Sequence, residues 1–422
     1  MPSFTPPGES QATHAAQAQR PVIPAMDVYD VADLREQARR RLPKGLFDFI
    51  DRGNDDEVAM RENQAALARI KLRPRVLADV SVRDQSIELF GKRQQMPVAI
   101  GPTGSAGLAW YQGEIELAKA AAAQGIPYTM ATGSMTAMER AVEEAGGTLW
   151  FQLYMWPERE LSFQLVERAR AAGFDALVFT VDTPVAPGRE YNLRNGFVIP
   201  FRFTRRNVVD VAMHPRWLLG VIVRYLLTGG LPRYENFPRH MQTRFTALPM
   251  GRSMATNPSM SWDDVRALRR LWPRTLIVKG IQHAEDARLA ADCGVDGIVV
   301  SNHGGRVLDS SPATIETLPS ILDAVGKRTT VLVDSGFRRG ADVVKALAMG
   351  AHAVLLGRAP LYGTAMAGQM GAMRAIQLYR DEIDRVLGLI GVCSVAELDP
   401  GHLVLPWDAQ ERGRPRRADE PR

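Results

Sequence analysis

Eight short apolar runs recur along the chain at the spacing of one strand plus one helix, and this repeat constrains the fold more than any other feature. They cover residues 97–101, 127–131, 149–153, 176–181, 275–279, 297–301, 330–334 and 353–357. Most are continuous in Val, Ile, Leu or Ala, which is how strands buried on both faces of a parallel sheet read. Between them lie stretches of helical periodicity, among them 114–124, 162–172, 284–293 and 340–349. A β-α unit repeated about eight times is the count of a (β/α)8 TIM barrel, so the expected fold class is α/β.

Length alone would divide 422 residues into two or three domains, but a single barrel with insertions accommodates them. Residues 25–405 are read as one barrel unit. Within it, 25–90 form a helical lead-in and a strand that cover the barrel, and 184–261 form a long insertion after the fourth strand. Residues 1–24 are rich in Pro, Gln and Ala, lack the apolar segment of a signal peptide, and read as a disordered tail. Residues 406–422 read as a charged tail. No stretch reaches the roughly 18 apolar residues of a membrane span. The two cysteines, Cys293 and Cys393, have no metal-like spacing and exclude a disulfide framework, which points to a reducing, cytoplasmic compartment. The net charge of +5 is compatible with nucleic acid, an anionic membrane or an acidic substrate and selects none of them.

The polar residues at the ends of the apolar runs are more selective. Gly101-Pro102-Thr103, Gln152-Leu153-Tyr154, Thr180-Val181-Asp182, Lys279, Ser301-Asn302-His303, Asp334 and Gly357-Arg358 all fall at or just past a strand's C-terminal end. Barrel enzymes carry their active sites on that face. Any one of these could be a loop or capping residue; their convergence on one rim weakens that reading. In Ser301-Asn302-His303-Gly304-Gly305-Arg306-Val307-Leu308-Asp309, one tight loop carries a base and a fixed cation. Histidine accepts a proton near neutral pH, arginine grips a carboxylate with a bidentate fork, and the glycines are expected to let the backbone approach a flat ligand. Asp334-Ser335-Gly336-Phe337-Arg338-Arg339-Gly340 and Gly357-Arg358 lie on the seventh and eighth units, the usual phosphate site of such barrels.

These motifs resemble the FMN-dependent L-2-hydroxy acid oxidases and dehydrogenases, a family that includes glycolate oxidase and the lactate and mandelate dehydrogenases. SNHGGRxLD, TVDTP, FQLY, VKG and DSGFRRG occur in order, and the resemblance runs from about Val28 to about Leu405. It is strongest to the mandelate dehydrogenases, through GKRQ at 91–94 with Met96-Pro97 after it, GPTG at 101–104, HPRW at 214–217, LWP at 271–273 and LLGRAPLYG at 355–363. The resemblance implies FMN as cofactor and a small 2-hydroxy acid as substrate. It implies that His303 removes a proton from the substrate, that Asp182 pairs with the histidine, and that Arg306 and Arg189 bind the substrate carboxylate. Tyr154 would hydrogen-bond the reacting oxygen, and Lys279 would lie near flavin N1. Pro102, Thr103, Gly104, Thr132, Gln152, Thr180 and Ser301 would line the ring and ribityl chain. Asp334, Gly336, Arg338, Gly357 and Arg358 would hold the ribityl and phosphate groups. A homotetramer is also implied.

Three positions depart from the family pattern or separate its branches. Phe49 stands where the family usually has a tyrosine whose hydroxyl helps hold the carboxylate. Asn192 replaces a usual Asp. Gly104 matches the dehydrogenase branch, where many oxidases carry alanine, and points to an acceptor other than oxygen.

Between Phe201 and Phe245 lie Arg202, Arg205, Arg206, Arg216, Arg224, Arg233, Arg239 and Arg244, opposed only by Asp210 and Glu235. Interleaved are Phe203, Trp217, Leu218, Leu219, Val221, Ile222, Tyr225, Leu226 and Leu227. This pattern suits an interfacial segment on anionic lipid, with Trp217 and the 218–223 run entering the headgroup boundary. Packing against the chain's own barrel or a neighbouring subunit is the alternative. No nucleic-acid recognition motif accompanies the charge. The leading expectation is a flavin dehydrogenase passing electrons to a membrane quinone on the inner face of the cell membrane. A soluble oxidase releasing hydrogen peroxide, or an FMN-binding protein without turnover, are the alternatives.

Overall fold

A computed structural model describes residues 26–197, 204–238, 242 and 257–406. The expected tails, 1–24 and all of 406–422 but Pro406, and the side chains of Arg202, Phe203, Arg239 and Arg244, lie outside the described residues. Each of the eight apolar runs forms a strand within one or two residues of its expected bounds: β1 Val98–Ile100, β2 Tyr128–Ala131, β3 Leu149–Leu153, β4 Ala176–Thr180, β5 Thr275–Ile281, β6 Gly297–Val300, β7 Thr330–Val333 and β8 Ala353–Leu356. They pair in sequence order and in parallel, and β8 closes on β1 through Val354 opposite Val98. The protein is a (β/α)8 TIM barrel.

Strand periodicity places the site. Ala99, Trp150, Val178, Ile277, Val299, Leu332 and Leu355 form one buried cluster that fills the barrel interior. Side chains alternate across a strand, so two residues further on the inward positions become Gly101, Gln152, Thr180, Lys279, Ser301, Asp334 and Gly357. The apolar filling therefore gives way to a polar ring at the C-terminal mouth. The other end is closed by a two-stranded ribbon, Ile87–Leu89 with Lys92–Gln94. Its turn residue Phe90 meets Trp150 edge-on at 5.9 Å.

The lead-in has helices Val31–Arg41, Lys44–Asp51 and Val58–Arg69, then a short strand, Lys71–Leu72, pairing with Leu403–Val404. It docks beside the mouth. Asp309 accepts from the backbone of Asp56 and Ala59 at the start of the third helix, and Asn63 and Asn302 exchange side-chain hydrogen bonds at 2.9 Å. Gly305 lies so close to this helix that a Cβ would come within 2.5 Å of the Met60 amide nitrogen, and its φ is +71°.

The insertion corrects one sequence expectation. Trp217 does not face outward: it is 7% exposed, and its indole N–H donates to the Leu108 carbonyl at 2.7 Å. Val221 is fully buried, and Leu218, Ile222 and Tyr225 pack against the core. Residues Leu218–Val223 form a π-helical turn. The exposed apolar side chains of this segment are instead Val208, Val209, Met213, Leu219, Leu226 and Leu227. The reason is local. Trp217 can satisfy its N–H only against a free carbonyl, and the short Ala106–Ala109 helix supplies one. No described helix is long and apolar enough to cross a membrane.

Candidate active site

A cavity of about 350 Å³ opens at the barrel mouth. His303, Tyr154, Arg189, Arg306, Lys279, Phe49 and the 101–104 loop line it, as do Gln152, Asp334, Gly336, Arg338, Gly357 and Arg358. Thr132, Thr180 and Ser301 stand just behind the wall. Thr132 accepts from the Tyr154 amide at 3.0 Å and donates to the Gln152 carbonyl at 2.6 Å. The structure thus brings the expected residues into one place.

His303 sits on a left-handed backbone, φ +58°, after β6. Its Nδ1 lies 2.9 Å from Asp182 Oδ1 and its Nε2 lies 3.3 Å from the Tyr154 hydroxyl. An ionised carboxylate only accepts, so the hydrogen-bond pattern assigns the proton to Nδ1 and leaves Nε2 unprotonated, its lone pair accepting from the Tyr154 hydroxyl. Burial lowers the pKa of His303; Asp182 opposes that shift, and Lys279 and Arg189 add to it. The imidazole is therefore a neutral base. Asp182 is also buried, but His303 and Lys279 outweigh burial and hold its carboxyl below the ordinary range. Burial, then Asp182, raises Tyr154 to about 12, so it remains a hydrogen-bond donor. Asp182 fits only because residue 280 is glycine: a Cβ there would lie 2.7 Å from the Asp182 Cβ, at φ +112°. That explains the glycine of the VKG motif.

Lys279 is buried among acceptors. Its ammonium is 2.9 Å from Ser301 Oγ and 3.2 Å from Asp334 Oδ2. Burial disfavours the charge, but Asp334 and Asp182 outweigh it and raise the pKa above the ordinary lysine value. A fixed cation therefore stands in the polar ring.

Arg189, Arg306, Arg338 and Arg358 all line the cavity without an ion-paired carboxylate among the described residues, and Arg189 and Arg306 stand against each other. Arg189 Nε is buried and unbonded, and its terminal nitrogen reaches the Arg306 carbonyl at 3.3 Å. Arg306 donates to the carbonyls of Phe49 at 2.7 Å and Arg52 at 2.8 Å. Burial, then the nearby Arg189, lowers its pKa to about 10, so it stays charged at neutral pH. Cations held close in a low-dielectric cavity define a site for an anion. The Phe49 ring lies 5.6 Å from the Arg306 guanidinium and packs on Phe197 at the same distance.

Arg358 behaves differently from expectation in detail. It lines the cavity, but its guanidinium donates to the carbonyls of Gly304 at 3.0 Å, Arg52 at 3.1 Å and Ile50 at 3.3 Å. Burial, then Arg306, lowers it to about 10. The glycines after His303 also serve the protein more than a ligand: Gly305 meets Met60, and a Cβ on Gly304 would lie 2.7 Å from an Arg358 nitrogen. Sequence reasoning missed the main-chain carbonyls of Phe49, Ile50 and Arg52, the Asn63–Asn302 pair, and Ala186 and Pro187 in the wall. Carbonyls leave no trace in residue type, so the sequence holds no signal for them.

The cavity suits a flat polar cofactor with a phosphate. Thr103 Oγ1, Gln152 Nε2 and Thr180 Oγ1 are buried at the mouth without partners. Such orphans are costly unless a ligand satisfies them. Arg338, with Gly357 opening onto free space beside it, supplies cationic and steric provision for a phosphate.

Residues 38–405 match the family of FMN-dependent dehydrogenases, and the chain belongs to it. It is an FMN-dependent α-hydroxy acid dehydrogenase, as its similarities indicate. The (S)-mandelate dehydrogenase of Pseudomonas putida is 40% identical over 379 residues, 90% of this chain and 94% of that protein. The L-lactate dehydrogenase of Caulobacter vibrioides is 42% identical over 376 residues, 89% of this chain and 97% of that protein. A crystal structure of the monotopic membrane protein (S)-mandelate dehydrogenase superposes with a TM-score of 0.85 at 40% identity, covering 90% of this chain and all of that one. A soluble mutant of the membrane-associated enzyme from Pseudomonas putida gives 0.76 at 36% identity, with 90% of this chain and 100% of that one covered. The motif resemblance is borne out.

Proposed function

We propose that the protein oxidises an L-2-hydroxy acid of the mandelate or lactate kind to its 2-oxo acid and passes the electrons to a membrane quinone. The observation that carries the reading is an unprotonated His303 Nε2 and the Tyr154 hydroxyl in the wall of a cavity that also holds Arg189 and Arg306, neither with an ion-paired carboxylate among the described residues. Arg306 and Arg189 would clamp the substrate carboxylate. His303 Nε2 would take a proton from the substrate, and Asp182 would stabilise the resulting imidazolium. Tyr154 would donate to the reacting oxygen and orient it. FMN, when bound, supplies the two-electron acceptor. Thr103, Gln152, Thr180 and Lys279 would satisfy its polar ring atoms, with Pro102, Gly104, Thr132 and Ser301 around them. Arg338, with Asp334, Gly336, Gly357 and the charge of Arg358, would hold its ribityl and phosphate groups.

Membrane contact on the inner face is part of the same reading. Exposed Leu219, Leu226 and Leu227 share the insertion with Arg205, Arg206, Arg216, Arg224 and Arg233. The higher likeness to the monotopic structure than to the soluble mutant supports it. Residues 25–405 act as one unit, assembled as a homotetramer. Anaerobic mixing with L- and D-mandelate and lactate tests the chemistry: the L-acids should bleach the flavin. Reoxidation by a soluble quinone should then outpace reoxidation by oxygen. A yellow protein that no 2-hydroxy acid bleaches would refute the reading, and rapid peroxide formation would move it to the oxidases.

A further inference from the structure

A second cleft, about 340 Å³, lies where the first lead-in helix, the insertion and the helix Arg358–Ile390 meet. It shares no lining residue with the barrel-mouth cavity. Arg40, Arg41, His214, Arg216, Gln37 and Met213 line it. Two of its polar side chains are already occupied: Arg40 pairs with Glu36 at 2.8 Å, and His214 meets the Asp210 carbonyl at 2.7 Å and the Asp210 carboxylate at 3.5 Å. Arg41 and Arg216 have no carboxylate partner among the described residues. Arg41 Nε is buried and unbonded. The guanidinium is fixed in place: it stacks 4.3 Å from the Trp110 ring, and the insertion crosses over it at Gly220, where a Cβ would lie 3.4 Å from a terminal nitrogen. Burial, then the charge of Arg216, lowers the Arg41 pKa. Two like charges with free surface around them would normally swing apart. Here one of them is pinned, so the pair holds an unmet demand for an anion.

We propose that this cleft binds the phosphodiester headgroup of an anionic phospholipid, with Arg41 and Arg216 as its two cationic contacts. The proposal rests on the membrane reading above and gives that contact a specific lipid site. Arginine forks match phosphate oxygens. The surroundings favour a lipid over a free ion, because Met213, itself in the cleft wall, is 70% exposed and Leu219, next to Gly220, is 61% exposed. An amphiphile would meet cations and apolar surface at once.

The test compares full-length, FMN-loaded enzyme with two pairs of substitutions. Arg41→Gln with Arg216→Gln empties the cleft; Arg205→Gln with Arg206→Gln removes the same charge elsewhere on the insertion. Neither pair touches the active site, so substrate-driven bleaching reports that each variant is folded. Binding is measured by flotation with phosphatidylcholine vesicles carrying either phosphatidylglycerol or an equal charge of oleate. The wild type and the control pair should prefer the phosphatidylglycerol vesicles. The cleft pair should lose that preference and bind them at least 5-fold more weakly than the control pair does. Arg41→Lys, which keeps the charge but not the fork, should lose part of the preference as well. Equal loss in both pairs, or no preference for phosphate over carboxylate in the wild type, would overturn the headgroup site and leave the membrane reading standing. A wild type that floats with no vesicle would end the membrane reading. Inorganic phosphate binding, measured by calorimetry and absent from the cleft pair, would then mark a free-phosphate site and overturn the lipid assignment.

Discussion

At the residue scale, the chemistry depends on which nitrogen of His303 holds the proton. His303→Ala should abolish flavin reduction by about 10²–10⁴-fold while FMN stays bound, measured by anaerobic stopped flow. The pH profile follows from the lowered pKa. The active form is the neutral imidazole, so reduction should hold steady as pH falls through 6.5, the ordinary histidine value, and decline only below it. An inflection above 6.5 would contradict the burial of the ring. Asp182→Asn should slow the same step, since an amide neither fixes the Nδ1 proton nor stabilises the imidazolium. Phe49 offers the opposite kind of test. Its ring lines the cavity 5.6 Å from the Arg306 guanidinium. Phe49→Tyr should therefore tighten lactate binding, by as much as about 1.5–3 kcal/mol if the new hydroxyl reaches the carboxylate. Unchanged binding would show that the hydroxyl points elsewhere. Asn192 has a buried, unbonded Oδ1, and nothing in the structure explains its replacement of an acid.

At the scale of elements, the strands were readable because both their faces are buried, which leaves an unbroken apolar signature. The polar ring was readable because strand alternation carries an inward residue such as Ile277 on to Lys279. The lead-in was only half readable. Its helices announce themselves by periodicity, but its role does not. The C-terminal turn of Lys44–Asp51 turns its free carbonyls toward Arg306 and Arg358, and the helix dipole adds to their pull. No side chain encodes that contact. Gly305 is the tightest point of the docking. Gly305→Ala should cost about 1–3 kcal/mol in backbone strain alone, with the clash against Met60 added. Thermal unfolding should register the loss, and KM for the acid should rise because Arg306 loses its anchor. An unaltered melting curve would mean that the lead-in yields easily.

For the whole molecule, composition found the insertion but assigned its faces wrongly. A run of Trp, Leu, Val and Ile beside arginines looks the same whether it greases a membrane or a barrel wall, and only packing distinguishes the two. Trp217→Ala should destabilise the fold by about 3–5 kcal/mol. Leu226→Ser with Leu227→Ser, at 55% and 82% exposure, should change stability by less than about 1 kcal/mol yet release the enzyme from vesicles. If the Trp217 variant is as stable as the wild type, the indole is not a packing element. The indole's bond to Leu108 has a practical consequence. Leu108 lies four residues past Gly104, and the Tyr225 hydroxyl also accepts from the backbone of Gln112 in the same stretch. The segment facing outward is thus riveted to the loop that borders the cavity. Excising 204–238 to obtain a freely soluble enzyme would strip the cladding from that loop. A workable soluble version must keep Trp217, Val221 and Tyr225 as a lining and repaint only the outer side, at Leu219, Leu226 and Leu227.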